Sequence, residues 1–167
     1  MAVREILRWP DGRLRRPAEP VAEIDEAIAA IWDDMEDTMR AMPGHGVGLA
    51  APQIGVMLRL AVVDAGPAHG AAVRMANPEI VQASAETRAH DEASPCLPGV
   101  SARITRPATV SVAFTDAHGF RVRQDFEGLW ATSVQHQIDH LDGRMYFDRL
   151  SRVKRDMLLR RARKGAA

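Results

Sequence analysis

One stretch constrains this chain more than any other: Glu127–Gly143, EGLWATSVQHQIDHLDG. Apolar residues at Leu129, Trp130, Val134, Ile138 and Leu141 recur at steps of one, three and four, which predicts a helix over Glu127–Leu141 with one buried stripe. His136 and His140 are four apart, so at about 3.6 residues per turn they share one helix face. Two imidazoles so placed can ligate one metal ion. They can also be two ordinary polar residues, and this stretch alone leaves both readings open.

The 167 residues suit one domain, and with 46% hydrophobic and 26% charged residues the chain reads as globular rather than disordered. The 22 Lys and Arg cancel the 22 Asp and Glu, so net charge argues neither for nor against nucleic acid. The single cysteine, Cys96, excludes an internal disulfide and fits a reducing compartment. MAVREILRWP lacks the apolar run of a signal peptide, and no stretch reaches the roughly 20 apolar residues of a membrane span. A cytoplasmic protein, with no membrane contact, is expected.

Arg4–Pro20 reads as an extended lead-in anchored by Ile6, Leu7 and Trp9. From Val21 to Met42, Ile24, Ile28, Ile31, Trp32, Met35 and Met39 step by threes and fours, predicting an amphipathic helix that Pro43-Gly44 stops. Met57–Asp64 reads as a strand, Val73–Ser84 as an extended run interrupted at Asn77-Pro78, and Ala85–His90 as a third run. Thr109–Phe114 and Phe120–Phe126 alternate around Asp116–Gly119 as a hairpin. A basic helix over about 151–164 ends the chain, with Val153, Met157 and Leu158 at helical spacing among seven Arg and Lys.

Three other features carry chemistry. In GHGVGLAAPQIG, at 44–55, the glycines lack the G-x-x-x-x-G-K-[ST] spacing of a phosphate loop. Its Gln53 can donate and accept hydrogen bonds, although taken alone a loop glutamine is most often solvent-facing. Cys96 lies in the turn-rich SPCLPG. A lone cysteine is most often a small buried hydrophobe, but with His136 and His140 it would complete a three-ligand set with an open position, which is a catalytic arrangement. In the metallohydrolase motif H-E-x-x-H a proton-moving glutamate follows the first histidine, and here that residue is Gln137.

GVGLAAPQIG at 46–55, Cys96-Leu97 and QHQIDHLDG at 135–143 resemble, in order and spacing, the signature segments of peptide deformylase. Those typically read G-[IV]-G-L-A-A-P-Q-[IV]-G, E-G-C-L-S and Q-H-E-x-D-H-L-x-G. The first match is nearly complete and the third differs at one residue, while the second keeps Cys-Leu alone. Ser94, Pro95 and Pro98 stand around that pair where the family has Glu, Gly and Ser. Because proline fixes φ and lacks an N–H, either this loop takes another path, or Glu92 stands in for the acid, or a small deletion follows Leu97. The register there is open over about two residues.

The resemblance implies a single α+β domain over 1–167, with antiparallel sheets around the central helix that presents the histidines. It implies that Cys96, His136 and His140 hold one divalent transition metal, ferrous iron foremost, with zinc, nickel or cobalt as replacements. Gln53 and the Leu97 N–H would hold the oxyanion. Val47, Gly48 and Leu49 would run beside the peptide, and Leu129, Trp130, Thr132 and Ser133 would line the methionine pocket. The implied partner is the N-terminus of nascent polypeptides, met by a monomer, and the basic C-terminal segment is either a ribosome contact or a solvated face. An amide at 137 cannot take up and release a proton, which should cost on the order of 10²–10⁴-fold in rate. Two functions follow: an amide hydrolase removing formate from N-formylmethionyl peptides, slowed by Gln137, or an inactive homologue that binds metal and peptide N-termini.

Overall fold

The structure, a computed structural model, describes residues 2–166. The first long helix, α1, spans Glu26–Ala41. It begins later than the expected Val21 because Val21 is tied elsewhere: its N–H donates to Asn77 Oδ1 and its carbonyl accepts from Asn77 Nδ2, both at 2.8 Å. The Asp25 carboxylate, accepting from the Ile28 N–H at 2.9 Å, then caps the first turn. Ile28, Trp32, Met35 and Met39 pack on Leu49, Leu60 and Val62. Each such side chain contributes about 1.5–3 kcal/mol by leaving water.

Those partners belong to a five-stranded antiparallel sheet. Its strands are β1 (Gly48–Ala50), β2 (Leu60–Val63), β3 (Val73–Ala83), β6 (Thr109–Thr115) and β7 (Arg121–Glu127), in the order β1-β2-β3-β6-β7. Asn77-Pro78 does not end β3: Asn77 takes φ 50° and the register shifts between Ala76 and Glu79, so the interruption is a bulge. A separate hairpin pairs β4 (Thr87–Ser94) with β5 (Leu97–Pro107). It carries the third extended run beyond His90 and adds a strand the sequence did not signal.

Helix α2, Gly128–Leu141, lays Ala131, Val134 and Ile138 on Val63, Met75, Val110, Val112 and Phe126. Leu129, expected in that stripe, is 45% exposed. The inward place in this first turn goes to Trp130, whose ring stacks with Phe126 at 6.3 Å between centroids. Helix α3, Arg152–Ala166, buries Leu158 and Ala162 against Leu14, Ile104, Tyr146 and Phe147 and leaves Val153 and Met157 exposed. The architecture is α+β, and none of the described helices is long and apolar enough to cross a membrane.

The lead-in is a strap. Leu7 N–H donates to Gln53 O at 2.8 Å, Trp9 N–H to Cys96 O at 2.8 Å and Ala18 N–H to Leu141 O at 2.9 Å. It passes so close to the end of α2 that a Cβ on residue 143 would stand 2.6 Å from Arg15 O, and Gly143 has φ +77° as well.

Candidate functional site

Helix α2 turns His136, Gln137 and His140 into the protein, and all three are buried. The two imidazoles lie 5.0 Å apart between centroids. His136 Nδ1 sits 2.8 Å from Glu92 Oε1. With Nδ1–H donating to that carboxylate, Nε2 is left as the acceptor nitrogen. His140 has no such partner: both ring nitrogens are buried without a hydrogen bond. Burial, and then its neighbour His136, push its pKa well below the ordinary value, so the ring is neutral at pH 7.

Beneath the histidines lies a closed set of charges. Arg106 donates from Nε and Nη2 to Glu92 at 2.7 and 2.8 Å, and from Nη1 to Asp139 at 2.9 Å. Arg149 grips the same Asp139 through two bonds of 2.8 Å. Burial alone would raise the Glu92 carboxyl, but its bonds from Arg106 and His136 hold it below the ordinary range. Asp139 is lowered likewise, the Arg149 and Arg106 guanidiniums outweighing burial. Sequence reasoning missed both arginines. The signal was there for Arg106, which continues the inward phase of Ala102 and Ile104 along β5 and so puts a cation where an apolar residue is expected.

Gln53, on a 3-10 turn over Ala51–Ile54, is 1% exposed, contrary to its reading as an isolated loop residue. Its Oε1 accepts from the Ala50 N–H at 2.9 Å, which aims Nε2 at Cys96 Sγ, 3.5 Å away. Cys96 and Pro95 form the two-residue turn between β4 and β5, flanked by the pair Ser94 and Leu97. Ser94 Oγ accepts from the Cys96 N–H at 3.2 Å. Burial pushes the Cys96 thiol up.

Strand β1 borders α2. Val47 O accepts from Ser133 Oγ at 3.0 Å. A Cβ on residue 48 would stand 2.5 Å from both Gln137 Nε2 and Ser133 Oγ, so any larger residue there would force one or both side chains to shift. Leu49 is spent on the core beneath α1. Thr132 Oγ1 lies 2.6 Å from His90 Nδ1, Trp130 packs toward Phe126, and Leu129 stands in solvent. Among the described residues, no three His, Cys, Asp or Glu side chains gather so as to hold a metal ion. The imidazoles come together as expected. The thiol expected to join them lies against Gln53 and the strap.

A family model described as polypeptide deformylase matches residues 3–156. The chain is 41% identical to a peptide deformylase of Afipia carboxidovorans, over 99% of this chain and 97% of that one. It is 42% identical to a peptide deformylase-like protein of Brucella melitensis, over 98% of each. A crystal structure of a peptide deformylase from Legionella pneumophila superposes with a TM-score of 0.91 at 40% identity, covering 99% of this chain and 96% of that one. One from Ehrlichia chaffeensis, in complex with actinonin, superposes at 0.92 with 34% identity, covering 99% and 98%.

Proposed function

Because this chain belongs to the peptide deformylase family, we propose that it receives peptide amino termini and that its formyl hydrolysis is strongly reduced or absent. The family is one of metal-dependent hydrolases that act on nascent peptide N-termini. The observation that carries the reading is Gln137, buried beside the histidines on α2 with an Oε1 that has no partner. An amide offers hydrogen bonds but cannot carry a proton from an attacking water to a leaving amine. The unpartnered nitrogens of His140 are of a kind a cation would satisfy, but the described donors do not complete the family's three-ligand set.

Peptide binding draws support from β1, the edge strand of its sheet, where an extended chain can pair with backbone groups. Val47 and Gly48 would run beside that chain, and Ser133 and Gln137 would lie alongside. Gln53 would present its amide to the first carbonyl. The basic surface of α3, with Val153 and Met157 exposed among the cations, suits phosphate contacts with ribosomal RNA. A cytoplasmic monomer completes this reading.

The test pairs two measurements on the unaltered protein, calorimetric binding of N-formylmethionyl peptides and formate release from them. Binding is expected, with release about 10²–10⁴-fold below that of the Afipia relative. Release at the relative's rate would overturn the reading, as would failure to bind.

A further inference from the structure

We infer that the family segment E-G-C-L falls on Glu92–Pro95 in this chain and not on Ser94–Leu97, so that Ser94 stands at the thiolate position and Pro95 at the backbone-donor position. The inference rests on family membership and not on whether formyl peptides are turned over.

The acid fixes the register. In the family pattern a glutamate precedes the cysteine by two residues, and Glu92 is the carboxylate on this hairpin that is buried, paired with Arg106 and bonded to His136. Counting two onward gives Ser94. The strand agrees: in β4, Glu92 and Ser94 are buried while Asp91 and Ala93 are exposed. The hairpin register shifts between Glu92 and Ser94, and on both sides of that shift the side chain is turned into the protein, Glu92 toward His136 and Ser94 at the strand's last residue. Cys96 lies past the end of that strand. It packs with Leu14, Ile104, Met145 and Phe147, its carbonyl is held by Trp9, and its sulfur faces the Gln53 amide.

The prolines then need no deletion to explain them. Pro95 opens the two-residue turn, where a fixed φ is tolerated, and Pro98 is exposed on a strand that is paired on one side only. The chemical consequences are two. A serine hydroxyl is outside the usual set of transition-metal ligands, in which thiolate, imidazole and carboxylate recur. Proline has no N–H to offer an oxyanion. Two imidazoles therefore remain of the family's ligand set, with Cys96 displaced to the turn beside it.

Cobalt titration without air, read by absorption, tests this. A thiolate bound to cobalt gives a near-ultraviolet charge-transfer band. The unaltered protein is expected to show none, and Cys96→Ala to bind cobalt no more weakly than the parent. Ser94→Cys is expected to gain the band and bind cobalt roughly 100-fold tighter or more, since even outer partners of a ligand are worth about 10–100-fold. A band in the parent that Cys96→Ala abolishes would overturn the inference, as would a Ser94→Cys protein with native circular dichroism and no band. Should Ser94→Cys fail to fold, parent against Cys96→Ala decides. None of these spectra depends on formate release, so this inference and the proposed function fail separately.

Discussion

The groups that hold α2 in place and the groups it presents for chemistry are close neighbours, and they have fared differently. In the first set, Glu92, Arg106, Asp139, Arg149 and His136 satisfy one another through charge-assisted bonds of 2.7–2.9 Å. In the second, Gln137 Oε1 and both nitrogens of His140 are buried with no partner, an arrangement that costs folding energy. A buried charge with its partner removed is severely destabilising, so the first set is bound by the fold itself. The second answers only to reaction chemistry, and there Gln137 departs from the family pattern, joined in the register inferred above by Ser94 and Pro95.

The comparison breaks if the reacting groups cannot be put back. The triple variant S94C/P95L/Q137E is expected to raise formate release by about 10²–10⁴-fold over the parent, measured with an N-formylmethionyl peptide. No gain in a folded, metal-loaded triple variant would mean that the supporting set has changed too. Next in size is Arg106→Ala, which strands the Glu92 and Asp139 carboxylates in the interior. Urea unfolding should show a loss of about 3–5 kcal/mol.

Gly48→Ala probes the seam between β1 and the face of α2 that presents Gln137. The added Cβ meets Gln137 Nε2 and Ser133 Oγ at 2.5 Å, so a loss of about 1–3 kcal/mol is expected from overpacking. Peptide affinity should fall with it, and an unchanged affinity would place the peptide elsewhere. Least of all should follow from Arg103→Ala. Its 3.6 Å pair with Asp91 joins side chains that are 68% and 71% exposed, and such pairs are worth about 0–1 kcal/mol. A cost near that of Arg106→Ala would erase the distinction between buried and exposed ion pairs on this hairpin.

Helix α2 and the β6–β7 hairpin were legible because their apolar periods of 3.6 and 2 follow directly from which side is buried. Strand β5 was not, since Pro98-Gly99 at its start and Arg106 in its inward phase hide the alternation of Val100, Ala102 and Ile104. Gln53 looked like a solvent residue because the groups that meet it, the strap bonded to its carbonyl and the Cys96 sulfur beside its amide, each lie more than 40 residues away in sequence. The Cys-Leu pair at 96–97 poses another kind of problem. Two matching letters set a register by adjacency, whereas the register inferred above is set by the partner of the acid. Glu92 had been visible as a candidate for that acid, but its claim depended on Arg106, which lies 14 residues on and which no local pattern connects to it.

The strap gives the order of synthesis a physical meaning. Leu7, Trp9 and Ala18 leave the ribosome before their partners, and the carbonyls they bind belong to Gln53, Cys96 and finally Leu141. Contacts so distant along a chain delay its folding. The strap can therefore bond first to Gln53 and then to Cys96, but its last hydrogen bond waits for Leu141, so the end of α2 is tied down only after the histidine-bearing helix has itself been made.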